Sequence, residues 1–185
     1  MGMFSDSLER AAAAVFTRPI PKTAQARMKY LVQQTKSTWA AARLLGISQR
    51  TVERYVKGQL KKPRAELAER LAGEVRRRWQ PRVRVRAQKQ AATSGGIVIE
   101  TRARFGFTAA AGSTDDGRIR RITQHLPATY AAQLLTAQAI GASEQQLQDI
   151  AAEGIQETYF KDHGRRAQGL AVDFTDVDYV ELDLK

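Results

Sequence analysis

The chain of 185 residues contains no cysteine, which excludes disulfides, thiolate metal centres and thiol nucleophiles. Histidine is nearly as scarce: His125 and His163 stand far apart, outside any metal-ligand spacing. No run of about 18 apolar residues exists, so no membrane partner is expected. The opening residues lack the basic, apolar and small-residue succession of a secretory signal, and a cytoplasmic location is expected. Internal repeats and low-complexity tracts are absent. The length suits one domain or two small ones and falls short of a polymerase-sized catalyst.

What the chain does have is positive charge. Its net +11 points to a polyanionic partner, because clustered Lys and Arg release counterions from a phosphate backbone. The charge is uneven: residues 1–90 hold 21 Lys and Arg against 6 Asp and Glu, whereas residues 91–185 hold 9 against 13. A basic half is joined to a mildly acidic one.

Helical signals dominate the basic half. A helix over 6–16 ends before the two closely spaced prolines Pro19 and Pro21. Thr23 is placed to cap a helix over 24–35, with Met28, Leu31 and Val32 at helical spacing. Helices over 38–45 and 48–57 follow, separated by Gly46 and closed by Gly58; Pro63 opens another, reaching about Trp79. The period then changes. Residues 82–87 alternate Arg with Val or Ala, which predicts a strand, and Ser94-Gly95-Gly96 is a turn signal before a second alternating run over 97–107. These two runs are expected to form a hairpin with a basic outer face. Residues 118–126 suit a third strand, Pro127 opens a helix to about Ile140, and Ser143-Glu144-Gln145-Gln146 is a capping box for a last helix. The tail over 172–184 alternates aspartates with Phe174, Val177, Tyr179 and Leu182, as an edge strand or an acidic arm would.

The expected architecture is therefore α+β: a helical half, then a basic β-hairpin or small antiparallel sheet packed with two C-terminal helices. The expected divisions are a helical DNA-binding domain over 1–80, an α+β priming and partner-binding domain over 81–170, and the tail over 171–185.

The segment 38–57 carries the most specific pattern. Ala42 is small where two helices cross closely, Gly46 allows the positive φ of a tight turn, and Val52 and Tyr55 pin the second helix on the first. Their spacing resembles the bacterial helix-turn-helix. On that reading Ser48 caps a recognition helix that presents Gln49, Arg50, Thr51 and Arg54 to a major groove, with Arg50 or Arg54 set for a bidentate contact to guanine. Lys57, Lys61, Lys62 and Arg64 suit phosphates, which position without specifying. Arg76, Arg77 and Arg78, and the alternating Arg82, Arg84 and Arg86, extend the basic surface. Trp39, Trp79, Phe105 and Phe107 offer stacking surfaces for bases, but core packing is the better expectation for Trp39, Phe105 and Phe107.

From Phe4-Ser5-Asp6 through the helix-turn-helix to Gly112-Ser113-Thr114-Asp115-Asp116-Gly117, the whole chain resembles the terminal proteins of Streptomyces linear chromosomes and plasmids. The resemblance implies a protein covalently joined to the 5′ end of linear DNA that supplies the hydroxyl priming the missing strand opposite a 3′ overhang. It implies as partners telomeric DNA, duplex and overhang, a telomere-associated protein and a cellular DNA polymerase, with a nucleoid-associated location at chromosome ends. The family's primer threonine carries over onto Thr114, with Asp115 and Asp116 as support. The protein would be an acceptor substrate rather than an enzyme. It would hold no cofactor or metal of its own, Mg²⁺ and the deoxynucleoside triphosphate coming with the polymerase.

Read without that resemblance, Ser-Thr-Asp-Asp-Gly is an ordinary turn, and Ser113, Thr108, Thr123 and the five tyrosines are competing hydroxyls. A helix-turn-helix transcription regulator, binding palindromic duplex with no covalent adduct, is the alternative function. A small nuclease or recombinase, using Thr114 near Arg118, Arg120 and Arg121, is a weaker third. The tail carboxylates Asp173, Asp176 and Asp178 suit solvated acids or a DNA mimic better than a metal site.

Overall fold

The computed structural model describes residues 2–108, 118–165 and 171–185, apart from the side chains of residues 107, 108 and 175. In chain order its elements are α1 (Met3–Ala14), α2 (Ala24–Thr35), α3 (Thr38–Leu45), α4 (Gln49–Val56), α5 (Ala65–Arg78), α6 (Pro81–Gln90), β1 (Ile97–Thr108), β2 (Arg118–Leu126), α7 (Ala128–Ala139), α8 (Glu144–Ile155) and β3 (Ala171–Leu184). π-Helical turns follow α6 at Ala91–Gly95 and α8 at Gln156–Phe160. The class is α+β, as the sequence predicts. The chain divides into two compact units, Thr17–Pro81 and a second made of Met1–Phe16 with Arg82–Lys185.

Local chemistry accounts for most helix boundaries. Thr23 accepts from the Ala26 N–H at 3.2 Å and Ser37 from those of Trp39 and Ala40, each hydroxyl satisfying donors that the first helical turn leaves free. Ser143 and Gln146 form the reciprocal capping box expected of that tetrapeptide. In the smaller unit Met28, Leu31, Ala41, Ala42, Leu45, Val52, Tyr55, Leu67, Leu71 and Val75 bury into one core. Its two ends meet where the Thr17 N–H donates to the Gln80 side chain at 2.9 Å.

The larger unit is built on an antiparallel sheet of order β2-β1-β3 among the described residues. β1 sends Ile97, Ile99, Thr101, Ala103 and Phe105 to the buried face, where they meet Phe4, Leu8 and Ala11 of α1, Ala131 and Leu134 of α7, and Leu147, Ala151 and Ile155 of α8. Thr101, the polar member of that row, donates its hydroxyl to the Tyr179 carbonyl at 2.8 Å. The tail takes the edge-strand alternative as β3, with register shifts opposite residues 102–105.

Two expectations change. Residues 82–87 are helical, within α6, so the hairpin is β1 with β2 and Arg82 has no strand partner. Proline at the first helical position and a run of Arg, Gln, Lys and Ala favour a helix, and Arg-Val alternation over six residues is too short to override them. The division near residue 80 lies at Pro81/Arg82, but α1 belongs with the sheet rather than with the helical domain. The Phe4 and Ser5 N–H groups both donate to the Glu144 carboxylate, which caps α1 from α8.

Phe105 is fully buried, with its ring 5.1 Å from Phe174 and 5.7 Å from Phe160. Phe105→Ala is expected to destabilise this unit by about 3–5 kcal/mol, read as early loss of hydrogen-exchange protection along β1. Wild-type protection there would remove Phe105 from the centre of the core.

Candidate nucleic-acid interface

The helix-turn-helix forms where the sequence places it. Gly46 ends α3 in the left-handed region at φ 64°, and the Ile47 N–H returns to the Ala42 carbonyl at 3.0 Å, so the chain reverses within three residues. Ala41, Ala42 and Leu45 of α3 are buried with Val52 and Tyr55 of α4. Gly58 follows α4 with φ 75°.

With Val52 and Tyr55 turned inward, the opposite side of α4 faces solvent. Gln49, Arg50 and Arg54 are exposed, and neither arginine forms an ion pair among the described residues. Ser48 and Thr51 are committed to the helix start: the Ser48 hydroxyl accepts from the Thr51 N–H at 3.2 Å and lies 2.8 Å from the Thr51 hydroxyl. The Gln49 amide donates to Thr38 Oγ1 and to Glu53 Oε1, both at 3.0 Å. This bond joins the first turn of α3 to the first turn of α4.

At the other end of α4, Lys57, Lys61 and Lys62 are exposed. Lys61 and Lys62 line a groove of about 470 Å³ with Lys22 and Arg27, over a floor of Pro63, Ala68 and Leu71. Sequence reasoning missed the pairing of Lys22 and Arg27 with this cluster, since α2 and the segment after α4 are about 35 residues apart. No carboxylate lines the groove, and its chemistry suits phosphate oxygens. The whole unit Thr17–Pro81 holds 16 Lys and Arg against 4 Asp and Glu, a net +12, and the remainder of the chain carries −1.

Other arginines separate by role. Arg77 and Arg78 both pair with the buried carboxylate of Glu74, so in the last turn of α5 Arg76 is the member without an ion pair among the described residues. The expected row of Arg82, Arg84 and Arg86 is broken by the helix. Arg82 and Arg86, four apart, share an exposed face, while Arg84 turns to the opposite side, pairs with Glu9 of α1 at 2.9 Å and lies 6.0 Å from the Phe16 ring.

On the open face of the sheet, arginines meet carboxylates. Arg102 pairs with Asp178 at 3.3 Å, Arg104 with Asp176 at 3.5 Å, and Arg121 with Glu100, which also accepts from the Tyr179 hydroxyl at 3.0 Å. The hydrogen bonds from Arg121 and then Tyr179 hold the Glu100 carboxyl below its ordinary range. Its contribution to stability is therefore present above the unfolded carboxylate pKa and lost as pH falls through the lower folded value. No group of three His, Asp or Glu among the described residues could hold a metal ion.

Thr114, Asp115, Asp116 and Ser113 lie outside the described residues, as does the side chain of Thr108. Thr123 is exposed on β2. Among the tyrosines, Tyr55 is buried, Tyr30 donates its hydroxyl to the Arg78 carbonyl, and burial raises the Tyr30, Tyr130 and Tyr179 hydroxyls above their ordinary value. Trp79 is half-buried, with its indole N–H donating to the Arg18 carbonyl at 3.0 Å and its ring 4.7 Å from Tyr30. Trp39, expected in the core, is 55% exposed, because α3 buries residues 41, 42 and 45 and Trp39 falls on another face. Phe105 is core as expected, and the Phe107 side chain is outside the description.

Comparison with protein families, curated proteins and solved structures finds no match to this chain. No helix among the described residues is long and apolar enough to cross a membrane.

The separation of the arginines has a direct check. Arg84→Ala leaves Glu9 half-buried without its partner and is expected to destabilise the fold by about 1–3 kcal/mol in thermal unfolding. Arg82→Ala and Arg86→Ala are expected to stay within about 0.5 kcal/mol of wild type. Equal effects at all three positions would contradict the helical reading of α6.

Proposed function

We propose that this protein binds duplex DNA through the helix-turn-helix and acts at the ends of linear DNA as a terminal protein, priming synthesis from the Thr114 hydroxyl. The observation that carries the DNA reading is the exposed Arg50 and Arg54 on α4, without an ion pair among the described residues, within a unit of net charge +12. α4 enters a major groove, Arg50 and Arg54 reach base edges, and the cations beside the groove near α2 hold backbone phosphates. The end-priming reading rests on the resemblance of the whole chain to the terminal proteins of Streptomyces linear replicons.

In that reaction the Thr114 oxygen attacks the α-phosphorus of a deoxynucleoside triphosphate. An O–P bond forms, the bond to the β-phosphate oxygen breaks, pyrophosphate leaves and the hydroxyl proton passes to a base or water. The polymerase supplies the metal ions that stabilise the attacking and leaving oxygens, and the template that selects the nucleotide. The partners are telomeric duplex and 3′ overhang, a telomere-associated protein and the polymerase. Asp115 and Asp116 stand beside the acceptor in sequence and support its orientation.

A transcription regulator would use the same α4, and the two functions part at the covalent bond. Wild type and Thr114→Val are incubated with the cellular polymerase, template and labelled deoxynucleotides. Detergent-resistant label on wild type and none on the variant is the expected result. Label on both would move the acceptor, with Ser113 next. Absence of label on either, with tight duplex binding intact, would favour the regulator. Arg50→Ala and Arg54→Ala are each expected to weaken specific duplex binding by about 1–3 kcal/mol and to relax base preference. Lys61→Ala should weaken binding to all sequences alike and flatten its salt dependence.

A further inference from the structure

We infer that Trp39 and Arg43 form a stacking platform for an unpaired nucleobase at the edge of the duplex-binding surface. The inference rests on the helix-turn-helix reading and deepens it by naming the side chains of that unit that meet an unpaired base. Trp39 is 55% exposed, and the Arg43 guanidinium, one helical turn on, lies 4.9 Å from the centre of its ring. The other tryptophan, Trp79, is engaged by a carbonyl and a tyrosine ring. The Trp39 indole N–H has no partner among the described residues.

Position ties this indole to the DNA-facing end of the unit. Trp39 follows Thr38, whose hydroxyl accepts from Gln49, the first residue of α4. A groove-bound α4 therefore places the first turn of α3 beside the duplex.

The chemistry of the surroundings selects the occupant. Leu44, also exposed on α3, is five residues on and falls on a different side of the helix. The ring is accompanied by a guanidinium rather than by an apolar patch, which suits an anionic ligand with a flat face and does not suit an apolar protein surface. Base pairs inside a duplex are already stacked on both faces. Along the side of the duplex, an indole therefore has only unpaired bases to stack on, as at a single-stranded extension.

The test measures full-length protein on three DNAs with the same duplex: blunt, with a short mixed-sequence 3′ extension, and with that extension abasic, which keeps the charge and removes the bases. Expected are tryptophan quenching by the extended DNA alone, its disappearance in Trp39→Phe, and a loss of about five- to a hundredfold in affinity for that DNA in Trp39→Ala. Trp39→Phe should recover part of that affinity. Equal losses on all three DNAs would overturn the inference in favour of a backbone contact, and unchanged binding of all three would overturn it in favour of a protein-facing residue. Failure of wild type to bind blunt duplex would overturn the helix-turn-helix reading as well; blunt binding with a silent Trp39 overturns this inference alone.

Discussion

The approach of α4 to α3 decides what the helical unit can offer a ligand. Ala41 and Ala42 leave the α3 backbone accessible, and the left-handed residue Gly46 lets the chain reverse without a long loop. Val52 and Tyr55 can then reach the shared core, with Val56 packed at its margin, and because they do, Gln49, Arg50 and Arg54 of this eight-residue helix are turned outward. So short a helix has no independent stability in water, so the exposed face exists because the packed face does. A larger residue at position 42 would separate the helices and redirect Arg50 and Arg54 together.

Electrostatics follow the same division. In the sheet unit, arginines of β1 and β2 face carboxylates of β1 and β3, and the charge is nearly balanced at −1. Such exposed pairs add little to stability. Their consequence is that, among the described residues of the open sheet face, Arg102, Arg104 and Arg121 are each offset by a carboxylate. The surplus of +12 stays on the helix-turn-helix unit, where Glu53 and Glu74 are engaged by Gln49 and by Arg77 and Arg78. At physiological salt, charges more than about 8 Å apart are screened, so the density of cations around α4 matters more than the total.

The helix-turn-helix was legible in sequence because its determinants lie within twenty residues and each is local: a cap, a glycine, two apolar pins. The caps at Thr23, Ser48 and Ser143, and the inward row of β1, were legible for the same reason. What the sequence hid depends on distant partners. The cap that Glu144 places on α1 spans about 140 residues and moves α1 into the sheet unit. The partnership of Arg84 with Glu9 depends on that placement. Residues 82–87 misled because two-residue alternation and a helical stripe cannot be told apart over six residues. Trp39 was expected inside on hydrophobicity alone, although the helical spacing of Ala41, Ala42 and Leu45 already places it on another face. Thr114 falls outside the described residues, so the priming reading stands on sequence resemblance.

The affinity expected of this interface constrains how it is used. On the proposed DNA reading, phosphate contacts from Lys57, Lys61, Lys62, Lys22 and Arg27 would favour any duplex equally. Two guanidiniums reading bases add about 1–3 kcal/mol each, so one copy discriminates by roughly 2–6 kcal/mol. Specific DNA-binding proteins separate their sites from bulk DNA by roughly 4–10 kcal/mol. A single helix-turn-helix of this composition therefore falls at or below the lower part of that range and needs a further determinant. A second copy on a palindrome is one solution. Recognition of a feature found at DNA ends is another, because an unpaired base is rare along a chromosome, and one stacking contact worth about 1–3 kcal/mol would favour the end over the interior duplex that competes for the phosphate-binding cations. On the proposed reading, Trp39 beside α4 would provide that determinant within the same unit, without requiring dimer symmetry.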